Sequence, residues 1–177
     1  MKLVILDRDG VINHDSDQYI KSAEEWQPIA GSLEAIARFT QAGYHVVVAT
    51  NQAGLGRGLF DMAALNAMHD KMHKAVNQLG GRIDAVFFCP HAHDAGCACR
   101  KPQPGMLLEI AARFNVALKG VPAIGDSLRD LQAASAAGAR PILVLTGKGE
   151  HTLKAGSVPE GTEVHQDLAA AAVALGA

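Results

Sequence analysis

The sequence predicts an α/β domain built around a parallel sheet. Short, solidly apolar runs alternate along the chain with amphipathic stretches of helical period, and each apolar run gives way to polar or small residues. A strand buried on both faces reads as continuous Val, Ile and Leu, and it needs helices over both faces of its sheet. The length, 177 residues, suits one domain of ordinary size.

The elements follow in order. Residues 2–6 form a first strand that ends at Asp7. Over residues 32–42, Leu33, Ile36, Ala37 and Thr40 share a helical face, and Gly43 stops the helix. Residues 44–49 are a second strand and residues 51–60 a Gly-rich loop. A long helix spans 61–79, where Leu65, Met68, Met72, Val76 and Leu79 recur at steps of three and four behind an Asp61 N-cap. His69 and His73 are expected on its exposed face. A third strand at 83–88 leads into a Cys/His/Pro loop at 89–103, and Pro104 opens a helix to about 115. A short strand at 121–124, weakened by Pro122, precedes a helix at 127–137 closed by Gly138. Residues 141–145 are the next strand. Gly147-Lys148-Gly149 lacks the spacing of a phosphate loop and reads as a surface turn. A strand near 162–165 and an Ala-rich helix at 167–175 complete the chain. This order predicts a three-layer, Rossmann-like parallel sheet in one domain over 1–177. No segment is long enough for a separate cap domain.

Composition narrows the partners. Aromatics are only 5% of residues, so the core leans on Ala, Val, Leu and Ile. Sixteen basic and 18 acidic residues are interspersed without a basic stripe, which argues against a nucleic-acid partner. The apolar run after Met1 is too short for a signal peptide or a membrane span. All three cysteines fall within residues 89–99, an odd and clustered set that is not a disulfide framework. A cytoplasmic monomer without membrane attachment is expected.

Ligands of open parallel sheets bind beyond the carboxyl ends of the strands. Asp7-Arg8-Asp9-Gly10 follows the first strand, Thr50-Asn51 the second, Lys101 the third, and Gly125-Asp126-Ser127-Leu128-Arg129-Asp130 the fourth. Adjacent carboxylates repel, so a pair such as Asp7 and Asp9 shares a cation or divides roles. Mg²⁺ suits such a site because it takes oxygen ligands and few carboxylates. A hydroxyl at Thr50 and a cation at Lys101 suit a phosphoryl group. Acid, hydroxyl, lysine and acid after successive strands form a more specific signal than any one alone.

These motifs resemble the haloacid dehalogenase superfamily of phosphatases, across nearly the whole chain. The resemblance implies an aspartyl-phosphate mechanism. Asp7 would be the nucleophile and Asp9 the general acid and base. Thr50 and Lys101 would hold the phosphoryl group, and Asp7, the Asp9 carbonyl and Asp126 would bind Mg²⁺. Asp130 is expected to support Lys101 rather than bind metal.

Cys89, His91, Cys97 and Cys99 offer three thiols and an imidazole, a tetrahedral set for structural Zn²⁺. His93 competes for the fourth place, and His91 is preferred because it repeats the one-residue spacing of Cys97 and Cys99. The Cys-x-His to Cys-x-Cys-Arg-Lys-Pro loop resembles one branch, which holds heptose bisphosphate 7-phosphatases and histidinol-phosphate phosphatases. Thr50 to Gly54 leading to Arg57-Gly58, the Arg100 to Met106 stretch and the Asn13 to Tyr19 stretch favour the heptose type. That type removes the C7 phosphate of D-glycero-D-manno-heptose 1,7-bisphosphate on the route to ADP-heptose and lipopolysaccharide. Arg57 and Arg100 suit forked phosphate contacts, and Asp15, Tyr19, Asn51 and Gln52 lie in loops suited to sugar contacts. Val11 and Ser127 depart from the commoner Thr and Lys of the pattern. The alternatives are a histidinol-phosphate phosphatase, a DNA 3′-phosphatase and a non-catalytic zinc-stabilised binding module.

Overall fold

A computed structural model describes all 177 residues. The strands are β1 (Lys2–Leu6), β2 (Tyr44–Asn51), β3 (Ala85–Cys89), β4 (Pro122–Gly125), β5 (Arg140–Val144) and β6 (Glu163–His165). The helices are α1 (Ser32–Gln41), α2 (Ala53–Gly56), α3 (Met62–Gln78), α4 (Gly105–Phe114), α5 (Leu128–Ala136), α6 (Gly149–Ala155) and α7 (Leu168–Ala174). The six strands pair in the order β3-β2-β1-β4-β5-β6, every pair parallel. This is the doubly wound arrangement, whose direction of winding reverses between β1 and β4 and leaves a crevice there.

The strand period of two divides the sheet into two faces. Val4, Leu6, Val46 and Val48 point to a core shared with Ile36, Phe39, Leu65, Met68, Met72, Val76 and Leu168 of α1, α3 and α7. Leu3, Ile5, Val47 and Ala49 point to the opposite core, with Met106, Leu107 and Ile110 of α4 and Ala134 of α5. Both faces are therefore covered, as solid apolar strands require.

Helix ends follow their local chemistry. Asp61 accepts the Ala64 N–H at 2.9 Å and starts α3. Ser127 and Asp130 form a reciprocal capping box that starts α5. Pro122 is tolerated because it is the first residue of β4.

Three expectations are corrected. The Gly147-Lys148-Gly149 segment is not a mere surface turn: Gly149 begins α6. The 51–60 loop contains the short helix α2. His69 does not lie on an exposed face, since its Nε2 stands 3.2 Å from Nη1 of the fully buried Arg8. No helix is long and apolar enough to cross a membrane.

Candidate active site

The crevice at the carboxyl edge of β1 and β4 opens into a cavity of about 270 Å³. Three of its 19 lining residues are hydrophobic, so it suits a polar ligand. Asp7, Asp9, Asp15, Tyr19, Thr50, Asn51, Gln52, Arg100, Lys101 and Asp126 all line it, so the sheet and its loops bring nearly the whole predicted set together. Arg57 is the exception. Its Nη1 donates to the Tyr19 hydroxyl at 2.9 Å, and its guanidinium sits 5.6 Å from that ring, so it meets the cavity through Tyr19. Tyr19 holds a positive φ of 66°, a strained conformation for a residue with a side chain.

The floor is a network around Lys101, which is 3% exposed. Its Nζ donates to Asp7 Oδ1 at 3.2 Å, to Asp130 Oδ1 at 2.7 Å and to the Ala49 carbonyl at 2.7 Å. Its backbone is clamped by Asn51, which accepts the Lys101 N–H and donates to the Lys101 carbonyl, both at 3.0 Å. Asp130 Oδ2 accepts from the Asp126 N–H, the Ser127 N–H and the Ser127 hydroxyl at 3.1, 3.0 and 2.9 Å. Its acceptor capacity is thus taken up by the floor and the start of α5. Asp126, 2% exposed, accepts the Lys148 N–H at 2.8 Å. Two glycines let the chain close over it. A Cβ on Gly10 would stand 2.0 Å, and one on Gly147 2.3 Å, from Asp126 Oδ2.

Burial and mutual repulsion strain these charges. Burial, then Asp130, raises the Asp7 pKa well above the usual carboxylate range against the opposing pull of Lys101. Burial, then Asp130, pushes Asp126 up to about 7. For Lys101 burial works against the charge, but Asp130 and Asp7 outweigh it and hold the pKa above the ordinary lysine value. For Asp130 burial is outweighed by Lys101, and its pKa falls.

Asp7, Asp126 and Asp130 place carboxylate oxygens within 4.8 Å of one another. With Asp130 engaged elsewhere, Asp7 and Asp126 remain with open acceptor positions. The Asp9 carbonyl takes no part in a backbone hydrogen bond. An all-oxygen, acid-rich donor set whose members repel fits a hard divalent cation such as Mg²⁺. Thr50 Oγ1 accepts from Gln52 Nε2 at 3.0 Å, and the same amide lies 3.4 Å from Asp9 Oδ2.

The rim is richer in cations than the floor, with Asp15 and Asp17 as its carboxylates. His93, Arg100, Arg129 and Lys148 line the cavity. Arg100, then burial, Arg129 and Arg57, lower the His93 pKa, which records how tightly these cations crowd together. Nη1 of Arg100 is buried without a hydrogen-bond partner. Lys148 Nζ reaches across to Asp15 Oδ2 at 3.4 Å. Sequence reasoning passed over Arg129 and held Lys148 to be a surface-turn residue. Their positions after the fourth and fifth strands were the available signal.

Beside this rim, Cys89, His91, Cys97 and Cys99 converge. Cys89 Sγ lies 3.4 Å from His91 Nδ1 and 3.6 Å from Cys97 Sγ, and His91 Nδ1 lies 3.2 Å from Cys99 Sγ. None of the three cysteines forms a disulfide. Three sulfurs and one ring nitrogen around a common point fit tetrahedral Zn²⁺. His93 points instead to the cavity.

Comparison with known proteins accords with this geometry. A family model described as polynucleotide kinase 3 phosphatase matches residues 2–127, and one described as HAD-hydrolase-like matches residues 98–171. A D-glycero-beta-D-manno-heptose-1,7-bisphosphate 7-phosphatase from Bordetella bronchiseptica is 64% identical over 175 residues, covering 99% of this chain and 98% of the relative. The chain belongs to this family of haloacid dehalogenase-like phosphatases. A second member, from Pseudomonas putida, is 56% identical and covers 97% of this chain and 98% of its own. The crystal structure of the Bordetella bronchiseptica heptose bisphosphate phosphatase, complexed with magnesium and phosphate, has a TM-score of 0.98 at 64% identity, covering 99% of this chain and 98% of that one. Family members match from end to end, so the whole-chain likeness is to the sugar phosphatases rather than to the polynucleotide type alone.

Proposed function

We propose that this chain hydrolyses the C7 phosphate of D-glycero-β-D-manno-heptose 1,7-bisphosphate through an aspartyl-phosphate. The observation that carries the reading is a bipolar cavity. Asp7, held by the buried Lys101, lies on an acidic floor, and a rim that carries Arg100, Arg129 and Lys148 faces it. A bisphosphate has one phosphate for each end: the reacting group at the floor, the retained one at the rim. The partnerless Nη1 of Arg100 suits the retained phosphate.

Oδ1 of Asp7 accepts the Arg8 N–H and Lys101, so Oδ2 is the oxygen available for attack on phosphorus. The bond from phosphorus to the C7 oxygen breaks as the bond to Asp7 forms, and Asp9 gives its proton to the departing alkoxide. Asp9 then takes a proton from water as that water attacks the aspartyl-phosphate, freeing Asp7 and inorganic phosphate. Lys101 and the Thr50 hydroxyl hold the transferring phosphoryl group. Asp7, Asp126 and the Asp9 carbonyl would hold Mg²⁺, which when bound offsets the repulsion between carboxylate and phosphate dianion. Asp15, Tyr19, Asn51 and Gln52 are assigned to the sugar, with Arg57 acting through Tyr19.

Cys89, His91, Cys97 and Cys99 are assigned to a structural Zn²⁺ that stiffens the loop leading to Arg100 and Lys101. The three unpaired cysteines fit a reducing, cytoplasmic compartment. The decisive experiment compares phosphate release from heptose 1,7-bisphosphate, histidinol phosphate and a DNA 3′-phosphate, with and without Mg²⁺. A kcat/KM about 100-fold higher for the heptose is expected. Preference for either other substrate would overturn the reading. Metal analysis of the purified protein should give about one zinc per chain.

A further inference from the structure

Arg8 lies between the two aspartates of the first strand end, yet it points away from the cavity. It is 0% exposed and packs against Met68 of α3, its Nη1 lying 3.7 Å from the sulfur and 3.2 Å from His69 Nε2. Its one carboxylate partner is Asp9, which is 22% exposed. Burying a guanidinium against a methionine and a histidine is costly, and a well-packed apolar side chain often serves stability as well or better. What an apolar side chain there cannot do is hold Asp9.

The hold is directional. Arg8 Nε donates to Asp9 Oδ1 at 2.9 Å. Nη2 stands 2.9 Å from the same oxygen as a charge contact, without an N–H aimed along a hydrogen bond. Asn13, also 0% exposed, donates to Oδ1 at 2.9 Å through Nδ2. The orientation of that amide is settled because Nδ2 also meets the His14 carbonyl at 3.0 Å, so both neighbours are acceptors. Oδ2 meets only Gln52 Nε2, at 3.4 Å. The two oxygens of one carboxylate are thus made unlike, one gripped from behind and one presented forward.

We propose that Arg8 and Asn13 are positioning residues that clamp Oδ1 of Asp9, so that Oδ2 alone meets the leaving-group oxygen and exchanges the proton. The proposal rests on the phosphatase reading above and assigns the atom and its support within it. A sugar alkoxide cannot leave without a proton, whereas p-nitrophenolate can. A misplaced Asp9 therefore slows cleavage of the sugar ester more than that of the aryl ester.

The test is single-turnover cleavage with enzyme in excess, which reads the first step only. Wild type, Arg8→Met and Asn13→Ala are compared on heptose 1,7-bisphosphate and on p-nitrophenyl phosphate. Each variant is expected to slow the sugar ester at least about tenfold more than the aryl ester, a part of the full general-acid contribution. Equal slowing of both esters would mean a merely structural role and overturn the proposal, as would no slowing of either. Asn13→Ala keeps the arginine and carries the same comparison if Arg8→Met fails to fold. Failure of the phosphatase reading looks different, because wild type itself would then fail to cleave the heptose ester.

Discussion

The floor and the rim of the cavity are built in different ways. Asp7, Thr50 and Asp126 stand at strand ends and Asp130 at the start of α5, and Lys101, on the loop after β3, is tied down by Asp7, Asp130 and the Ala49 carbonyl. Rim residues ride largely on loops. Arg100 follows the cysteine cluster, Tyr19 sits in a long irregular segment, and His93 and Lys148 are exposed. Phosphoryl transfer needs atoms fixed within fractions of an ångström, which packed strands supply. Substrate choice needs shape and charge that loops can vary without disturbing the sheet. The contrast implies that damage to the floor removes catalysis and damage to the rim changes preference.

The harshest test is Asp7→Asn, which deletes the proposed nucleophile. Turnover is expected to fall by about 10⁴-fold or more in steady-state phosphate release, with the fold intact by circular dichroism. Lys101→Met should cost about 10²–10³ in kcat. It should also destabilise the fold by about 3 kcal/mol in a urea titration, because Asp7 and Asp130 lose their shared cation in a buried place. A stable, active Lys101→Met protein would break the claim that the floor is one unit.

Arg100→Ala tests the rim. About a tenfold loss in kcat/KM on the bisphosphate is expected, carried by KM, with little change on p-nitrophenyl phosphate. An equal loss on both substrates would place Arg100 with the floor instead. The smallest effect belongs to His69, behind the floor. Burial, then Arg8, lowers its pKa from 6.5 to about 4. The unfolded chain therefore gains this proton at a higher pH than the folded one, and stability falls as pH drops from about 6.5 towards about 4. His69→Gln removes that contribution, so its urea midpoint should decline less steeply over this window than that of wild type.

Much of this was legible from residue order. The Met68 and Met72 stripe is core as its period indicates, and the strand ends deliver Asp7, Thr50 and Asp126, with Lys101 from the loop after β3, to one crevice. The helix α6 was not legible. It is short and opens on two glycines around Lys148, where turn chemistry dominates local propensity. Arg8 was illegible for a different reason. Charged side chains are seldom buried, and no local pattern announces that this one turns inward beneath its own loop. His93 and His91 differ by two positions along the chain, and only the path of the loop sends one to the cavity and the other to the sulfurs.

Residue order by itself determined the fold class and which chemical groups stand at the carboxyl edge. Solid apolar strands joined by helical crossovers can only run parallel, and parallel strands all end on the same side. Tertiary structure alone decided which groups touch. Lys101 reaches Asp7 across 94 residues of chain, and Arg8 rather than a cavity residue grips the neighbouring carboxylate. Such contacts depend on the direction each side chain takes once the helices have packed, and direction is set by neighbours that lie far away along the chain.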